Sequence, residues 1–173
     1  MGHEYPSRRE QRLSAEQFTF CPLTEAYAQE ACSWRYPPPY DVFERLSWEH
    51  QKAAEIDLGD PIVRDKQYLA IVDQHYILCG YVQLFPLSGV LRLGVGLRPD
   101  LCGQGLGAPL MRKLALEARR HAPGQEIDLE VPAWNVRAIK AYEKAGFHIT
   151  DTYALKVGPD WQDVHCMVLN NKE

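Results

Sequence analysis

The residues whose types and spacing could do chemistry begin with Gly103, Gly105 and Gly107, three glycines within five positions of RPDLCGQGLG (98–107). Glycine costs backbone entropy, so this density needs a reason. The segment lies between a strand pattern and a helical one. There, glycines let successive backbone N–H groups turn inward, and the helix behind adds its positive end. Together they make an anion site without any cationic side chain, and Gly103 to Ala108 is long enough for a pyrophosphate. Spacing excludes two familiar alternatives. A P-loop has four residues between its glycines and then Lys with Ser or Thr, whereas Ala108 and Pro109 follow Gly107. A dinucleotide turn reads G-x-G-x-x-G, and this one reads G-x-G-x-G. A merely tight turn needs only one glycine.

Two further constellations carry polar chemistry. Asn135, Ala138 and Tyr142 stand at i, i+3 and i+7, so they share one helix face with a small gap between two polar tips. Tyr142 would serve equally as a core aromatic, and Asn135 is fully explained as a helix cap. Glu126, Asp128 and Glu130 share one face of a strand. That face is either solvated or lines a cleft. In a cleft it would attract a cationic amine, and a carboxylate of raised pKa could take the amine's proton, directly or through water.

These residues need elements to position them. FTFCPL (18–23) alternates as a strand, and TEAYAQEACSW (24–34) reads as a helix capped by Thr24. Prolines 37 to 39 forbid helix, and a second helical stretch is expected from near Asp41. QYLAIVD (67–73) and YILCGYVQLF (76–85) are strands joined by a polar turn, and VLRLGVGL (90–97) is a third. In the last, Gly94 and Gly96 open a gap on one face, as where a ligand or another backbone comes close. APLMRKLALEARRH (108–121) is an amphipathic helix, EIDLEV (126–131) a strand, and NVRAIKAYEKAG (135–146) a helix with Asn135 as N-cap and Gly146 just past its end. FHITDTYALKV and DVHCMVL close the chain as an antiparallel pair. The order β-α-α-β-β-β-α-β-α-β-β implies an α/β fold, a mixed sheet with helices on both faces.

Length and composition set the frame. A chain of 173 residues reads as one domain, with a polar lead-in at 1–16 that is expected to fray. A net charge of −4 argues against nucleic acid or an anionic membrane as partner, and no apolar run is long enough to span a bilayer. No signal peptide is expected. Cysteines 21, 32, 79, 102 and 166 are odd in number and form no C-x-x-C, as in a cytoplasmic protein with reduced thiols. No cysteine or histidine cluster has metal-site spacing.

The two motifs, in this order and at this separation, resemble the GNAT superfamily of N-acyltransferases. That family's coenzyme signature, Arg/Gln-x-x-Gly-x-Gly/Ala after a strand and opening a helix, corresponds to Cys102-Gly103-Gln104-Gly105-Leu106-Gly107. Its second signature, a strand, an Asn and a Tyr-bearing helix ending in Gly-Phe, corresponds to LEVPAWNVRAIKAYEKAGF (129–147). The resemblance covers at least residues 67–170, and its second half is similar to bacterial ribosomal-protein alanine N-acetyltransferases. Residues 18–60 match no family motif.

The resemblance implies acetyl-CoA as donor, a primary amine as acceptor, direct transfer and no metal. It implies a sheet that splays in the middle to admit the pantetheine arm. Val95, Gly96 and Leu97 would offer backbone amides to the thioester carbonyl and pantetheine. Gly103, Gln104, Gly105, Leu106, Gly107 and Ala108 would hold the pyrophosphate, and Asn135 and Tyr142 would touch the coenzyme. Tyr142 corresponds to the acid that protonates the leaving thiolate, as a phenol near its reference pKa of about 10, and Glu130 to the base. Cys102 stands where the family has Arg or Gln, which implies weaker coenzyme binding and, for an exposed thiol, sensitivity to alkylation. The acidic balance and the carboxylate face suit a cationic acceptor such as a polyamine, an aminoglycoside, lysine or a protein N-terminus. The aromatic run from Trp34 to Phe43 would wall a small-amine pocket or a peptide groove. A monomer or homodimer is expected. The rival reading is a non-catalytic acyl-CoA-binding module on the same fold.

Overall fold

Seven strands form one open sheet in the computed structural model, which describes residues 13–171. They are β1 (Thr19–Pro22), β2 (Tyr68–Val72), β3 (Leu78–Leu87), β4 (Val90–Leu97), β5 (Glu126–Pro132), β6 (Phe147–Val157) and β7 (Asp160–Leu169). Their spatial order is β1-β2-β3-β4-β5-β7-β6. Every neighbouring pair is antiparallel except β4–β5, which is parallel. That pair needs a crossover, and α4 (Gly107–His121) supplies it. The other helices are α1 (Glu25–Cys32), α2 (Trp48–Ala54), α3 (Pro61–Gln67) and α5 (Val136–Lys144).

Alternation along the strands feeds two cores. On one face Ile71, Val82, Leu93 and Leu129 pack with Leu110, Met111 and Leu114 of α4. On the other, Ala70, Val72 and Leu78 pack with Ala28 and Ala31 of α1 and with Trp48 of α2. A sheet apolar on both faces must be covered on both, as the residue pattern implied.

Three expectations need correction. The helix expected from Asp41 is a single 3-10 turn, Tyr40–Phe43, and α2 starts only at Trp48, where the Ser47 side chain accepts the His50 N–H at 3.2 Å. The helix α3 is additional. Its seven residues are too short to show a period, but Asp60 caps it through the Ile62 N–H at 2.8 Å, and Pro61 occupies its first turn. Finally, the last residues of the expected lead-in are anchored. Leu13 packs on the core, Ser14 caps a 3-10 turn at Ala15–Gln17, and Lys113 Nζ donates to the Glu16 and Phe18 carbonyls at 3.0 and 2.7 Å. Residues 1–12 lie outside the described residues.

The feature that positions the site is where β4 and β5 part. Their pairing runs from Val90↔Glu126 to Leu93↔Leu129 and stops there. Beyond it β4 stays with β3 as far as Leu97, and β5 stays with β7 as far as Pro132. A wedge therefore opens at the C-terminal ends of two parallel strands, where open α/β sheets bind ligands.

Candidate active site

The wedge presents free backbone donors. Arg98 N–H donates to the Cys79 carbonyl on β3 at 2.8 Å. Amide direction alternates along a strand, so the Gly96 N–H also points to β3, while those of Val95 and Leu97 point into the wedge. The Leu97 carbonyl, on the same side as its N–H, accepts the Tyr36 hydroxyl at 2.7 Å. Of the three residues expected to offer amides, Val95 and Leu97 are oriented for it, and Gly96 serves the sheet.

The glycine gap on β4 has a different occupant from the one expected. A Cβ on Gly96 would lie 2.3 to 2.5 Å from the Tyr81 ring, and one on Gly94 would lie 3.5 Å from Gln83 Cβ. Side chains of β3 fill the gap, because antiparallel partners sit directly opposite.

The turn at the mouth of the wedge has the backbone its composition suggested. Gly103 and Gly105 adopt φ of +73° and +76°, a region disfavoured for other residues. No side chain caps α4 at Leu106, which leaves the Gly107 and Ala108 amides unpaired at the positive end of the helix. Gly107 is needed for closeness, since a Cβ there would lie 3.2 Å from Ala141 Cβ on α5. The Leu106 side chain enters the core and Gln104 Nε2 bonds back to the Asp100 carbonyl at 2.5 Å, so at both positions the backbone faces the turn.

Cys102 turns away from the turn. Its thiol lies 3.8 and 3.7 Å from the Leu97 and Arg98 carbonyls, and burial pushes its pKa up, against a smaller lowering by Arg137. The exposed, alkylation-prone thiol considered above is therefore not found. The side chain that sequence reasoning missed is Arg137. Its Nη1 lies 3.7 Å from where a Cβ on Gly103 would be, and its guanidinium sits 4.1 Å from the centroid of the Tyr40 ring. Only its place two residues past Asn135, in the first turn of the facing helix, could have signalled this. Lys140 and Lys144 extend the cationic rim along α5.

Tyr142 and Asn135 both line the cavity. Asn135 is buried, and its Oδ1 accepts the Ala138 N–H at 3.3 Å, so it is the helix cap and a wall residue at once. The Tyr142 ring packs 6.3 Å from Phe147, and surrounding protein pushes its phenol up to about 12, not the ordinary value expected from sequence. It is a proton carrier throughout the neutral range.

Glu130 reaches the cavity from β5, but in an ion pair. Arg92 Nη1 contacts its Oε1, while Arg92 Nε and Nη2 hold both oxygens of buried Asp128 at 3.0 and 2.8 Å. The carboxylate face was expected to be solvated or to line a cleft; Glu130 lines the cavity, Asp128 is buried, and Arg92 from the neighbouring strand, in register with Asp128, partly neutralises both.

The whole cavity is about 820 Å³. Its second half is walled by Tyr36, Tyr40, Phe43, Leu46, Ile56 and Tyr81. Beside it, Phe43 and Tyr40 pack on Trp134 at 5.8 and 5.7 Å, Trp134 Nε1 donates to Gln162 at 2.5 Å, and a Cβ on Gly158 of the β6–β7 turn would lie 3.6 Å from Val42 Cγ1. Among the described residues no group of three His, Cys, Asp or Glu could hold a metal, and no helix is long and apolar enough to cross a membrane.

Residues 25–147 match the acetyltransferase (GNAT) family. The fold is similar to that of spermidine N-acetyltransferase from Vibrio cholerae in complex with CoA and spermine, with a TM-score of 0.71 and 16% identity over 89% of this chain and 95% of that one. It is also similar to spermidine/spermine N-acetyltransferase SpeG from the same organism, in complex with manganese ions, with a TM-score of 0.68 and 18% identity over 90% and 93% of the two chains. The chain belongs to the GNAT acetyltransferase family and is an acetyl-CoA-dependent N-acetyltransferase.

Proposed function

We propose that one domain carries out direct acetyl transfer to a primary amine at the point where β4 and β5 part. The observation that carries this is the end of strand pairing at Leu93↔Leu129, with the glycine turn and the uncapped α4 terminus at its mouth. Acetyl-CoA supplies the activated acetyl group as a thioester. The backbone from Gly103 to Ala108, with Arg137 beside it, holds the pyrophosphate. The Val95 and Leu97 amides hold the arm and stabilise the oxyanion that develops as the amine attacks. Asn135 fixes the start of α5, and Tyr142 on that helix donates to the departing sulfur.

Glu130 is the acceptor-side carboxylate. Paired with Arg92, it is an anchor for the incoming ammonium. The amine's proton passes to it, or past it through water. The alanine-type enzymes favoured by the motif resemblance and the polyamine enzymes that share the fold use different acceptors. At 16–19% identity the structural likeness carries the fold alone, so the acceptor has to be read from this chain. Five free cysteines suit a reducing compartment, and we place the protein in the cytoplasm as a monomer or homodimer.

The test is CoA release from acetyl-CoA with and without added amine, alongside thermal unfolding with CoA. Amine-dependent release and a raised Tm are expected. Stabilisation without release under any amine would favour the coenzyme-binding module instead, and no stabilisation at millimolar CoA would remove the reading.

A further inference from the structure

We infer that the acceptor is a small monoamine with an aromatic or branched apolar body, not a polyamine. This rests on the acetyltransferase reading and names the substrate class of the same site.

The first observation is charge. Three carboxylates line the cavity among the described residues, and each is already engaged. Glu44 accepts the Tyr36 N–H at 3.0 Å and lies 3.9 Å from Arg35. Asp57 takes Arg45 Nη1 on one oxygen and the Tyr68 hydroxyl on the other. Glu130 takes Arg92. Arg92 serves two carboxylates, Asp128 and Glu130, so one net negative charge remains beside the point of transfer. One negative charge suits one ammonium. A polyamine brings further ammonium groups, and they would find no uncompensated carboxylate in this part of the cavity, because Asp57 is already paired with Arg45. A desolvated cation without a partner is strongly disfavoured.

The second observation is what the walls offer. Tyr36, Tyr40, Phe43 and Tyr81 present ring surface, and Leu46 and Ile56 add exposed aliphatic surface at the rim. Such a lining rewards an apolar body, because burying apolar surface away from water is favourable. The third is a local wall: the 40–43 turn packs on Trp134, which is tied to Gln162 of β7, so one side of this part of the cavity is apolar and fixed.

The experiment compares kcat/KM by CoA release, at saturating acetyl-CoA, for 2-phenylethylamine, tryptamine, isoamylamine, spermidine, spermine and a short peptide with an N-terminal Phe. At least a tenfold preference for the best monoamine over both polyamines and over the peptide is expected. Leu46→Glu, which adds an unpartnered carboxylate at an exposed rim position, is expected to narrow that preference at unchanged Tm. Polyamines or the peptide turned over as well as the monoamines would overturn the inference. So would the absence of monoamine turnover in protein that acetyl-CoA stabilises, a result that leaves coenzyme binding intact. Failure of acetyl-CoA to bind would remove the acetyltransferase reading as well.

Discussion

The Arg137 guanidinium is stacked on Tyr40, 4.1 Å from the ring centroid, with its Nη1 beside Gly103. The pair joins the 40–43 turn to the glycine turn and places a fixed cation where Cys102 offers none. Removing a charge-assisted contact costs about 1.5–3 kcal/mol, so Arg137→Ala is expected to weaken CoA binding by about tenfold or more in a calorimetric titration. Arg137→Lys should recover only part of this, because an ammonium loses the planar stack. Unchanged affinity in Arg137→Ala would show that the backbone alone holds the phosphates.

Cys102 should behave as a structural thiol. Burial pushes its pKa up and its Sγ faces the carbonyls of Leu97 and Arg98. Iodoacetamide at neutral pH is therefore expected to label Cys102 more slowly than a free thiol, since only the thiolate reacts. Cys102→Ser should keep CoA affinity within about twofold, as a loss of one neutral contact would. Mass spectrometry of the labelled peptide and the same titration check both.

Tyr142→Phe is expected to lower kcat by about 10²-fold or more, the scale of general-acid catalysis, while CoA affinity stays near that of the parent. The phenol is pushed up to about 12 by its surroundings. In the proposed mechanism the protonated form is the donor, so any loss of its contribution comes as pH rises through about 12. Between pH 6 and 10 the parent's kcat profile should therefore show no alkaline limb assignable to Tyr142. A limb near pH 10 that disappears in Tyr142→Phe would contradict this.

Gly96 and Tyr81 form a steric pair. A Cβ at 96 would lie 2.3 Å from Tyr81 Cζ, so Gly96→Ala forces the ring or the strand to move, at a cost of about 1–3 kcal/mol. Tyr81→Ala removes a buried aromatic at a cost of its own, but the double variant should be less destabilised than the sum of the two singles. Urea unfolding of all four proteins measures the coupling.

Much was readable from local sequence, for local reasons. The glycine turn was legible because glycine density, strand before and helix after all lie within about thirty residues. β4, α4, β5 and α5 were legible because each is long enough to show its period. The region from 40 to 67 was not, since two 3-10 turns, Tyr40–Phe43 and Asp57–Gly59, and two seven-residue helices give no period, and their limits are set by Ser47, Asp60 and the packing of Trp48 and Leu58.

What the sequence by itself determined is the backbone chemistry of the site: positive φ at Gly103 and Gly105, an uncapped helix end, Asn135 as cap and Tyr142 one face along. Those properties depend on residues close in the chain. Only the tertiary structure decided the charges. Arg92 meets Glu130 across 38 positions, and Arg137 on α5 comes beside Gly103 in the turn before α4. Strand register and helix packing choose those partners, and they give a carboxylate face read only as an attraction for cationic amines an arginine of its own.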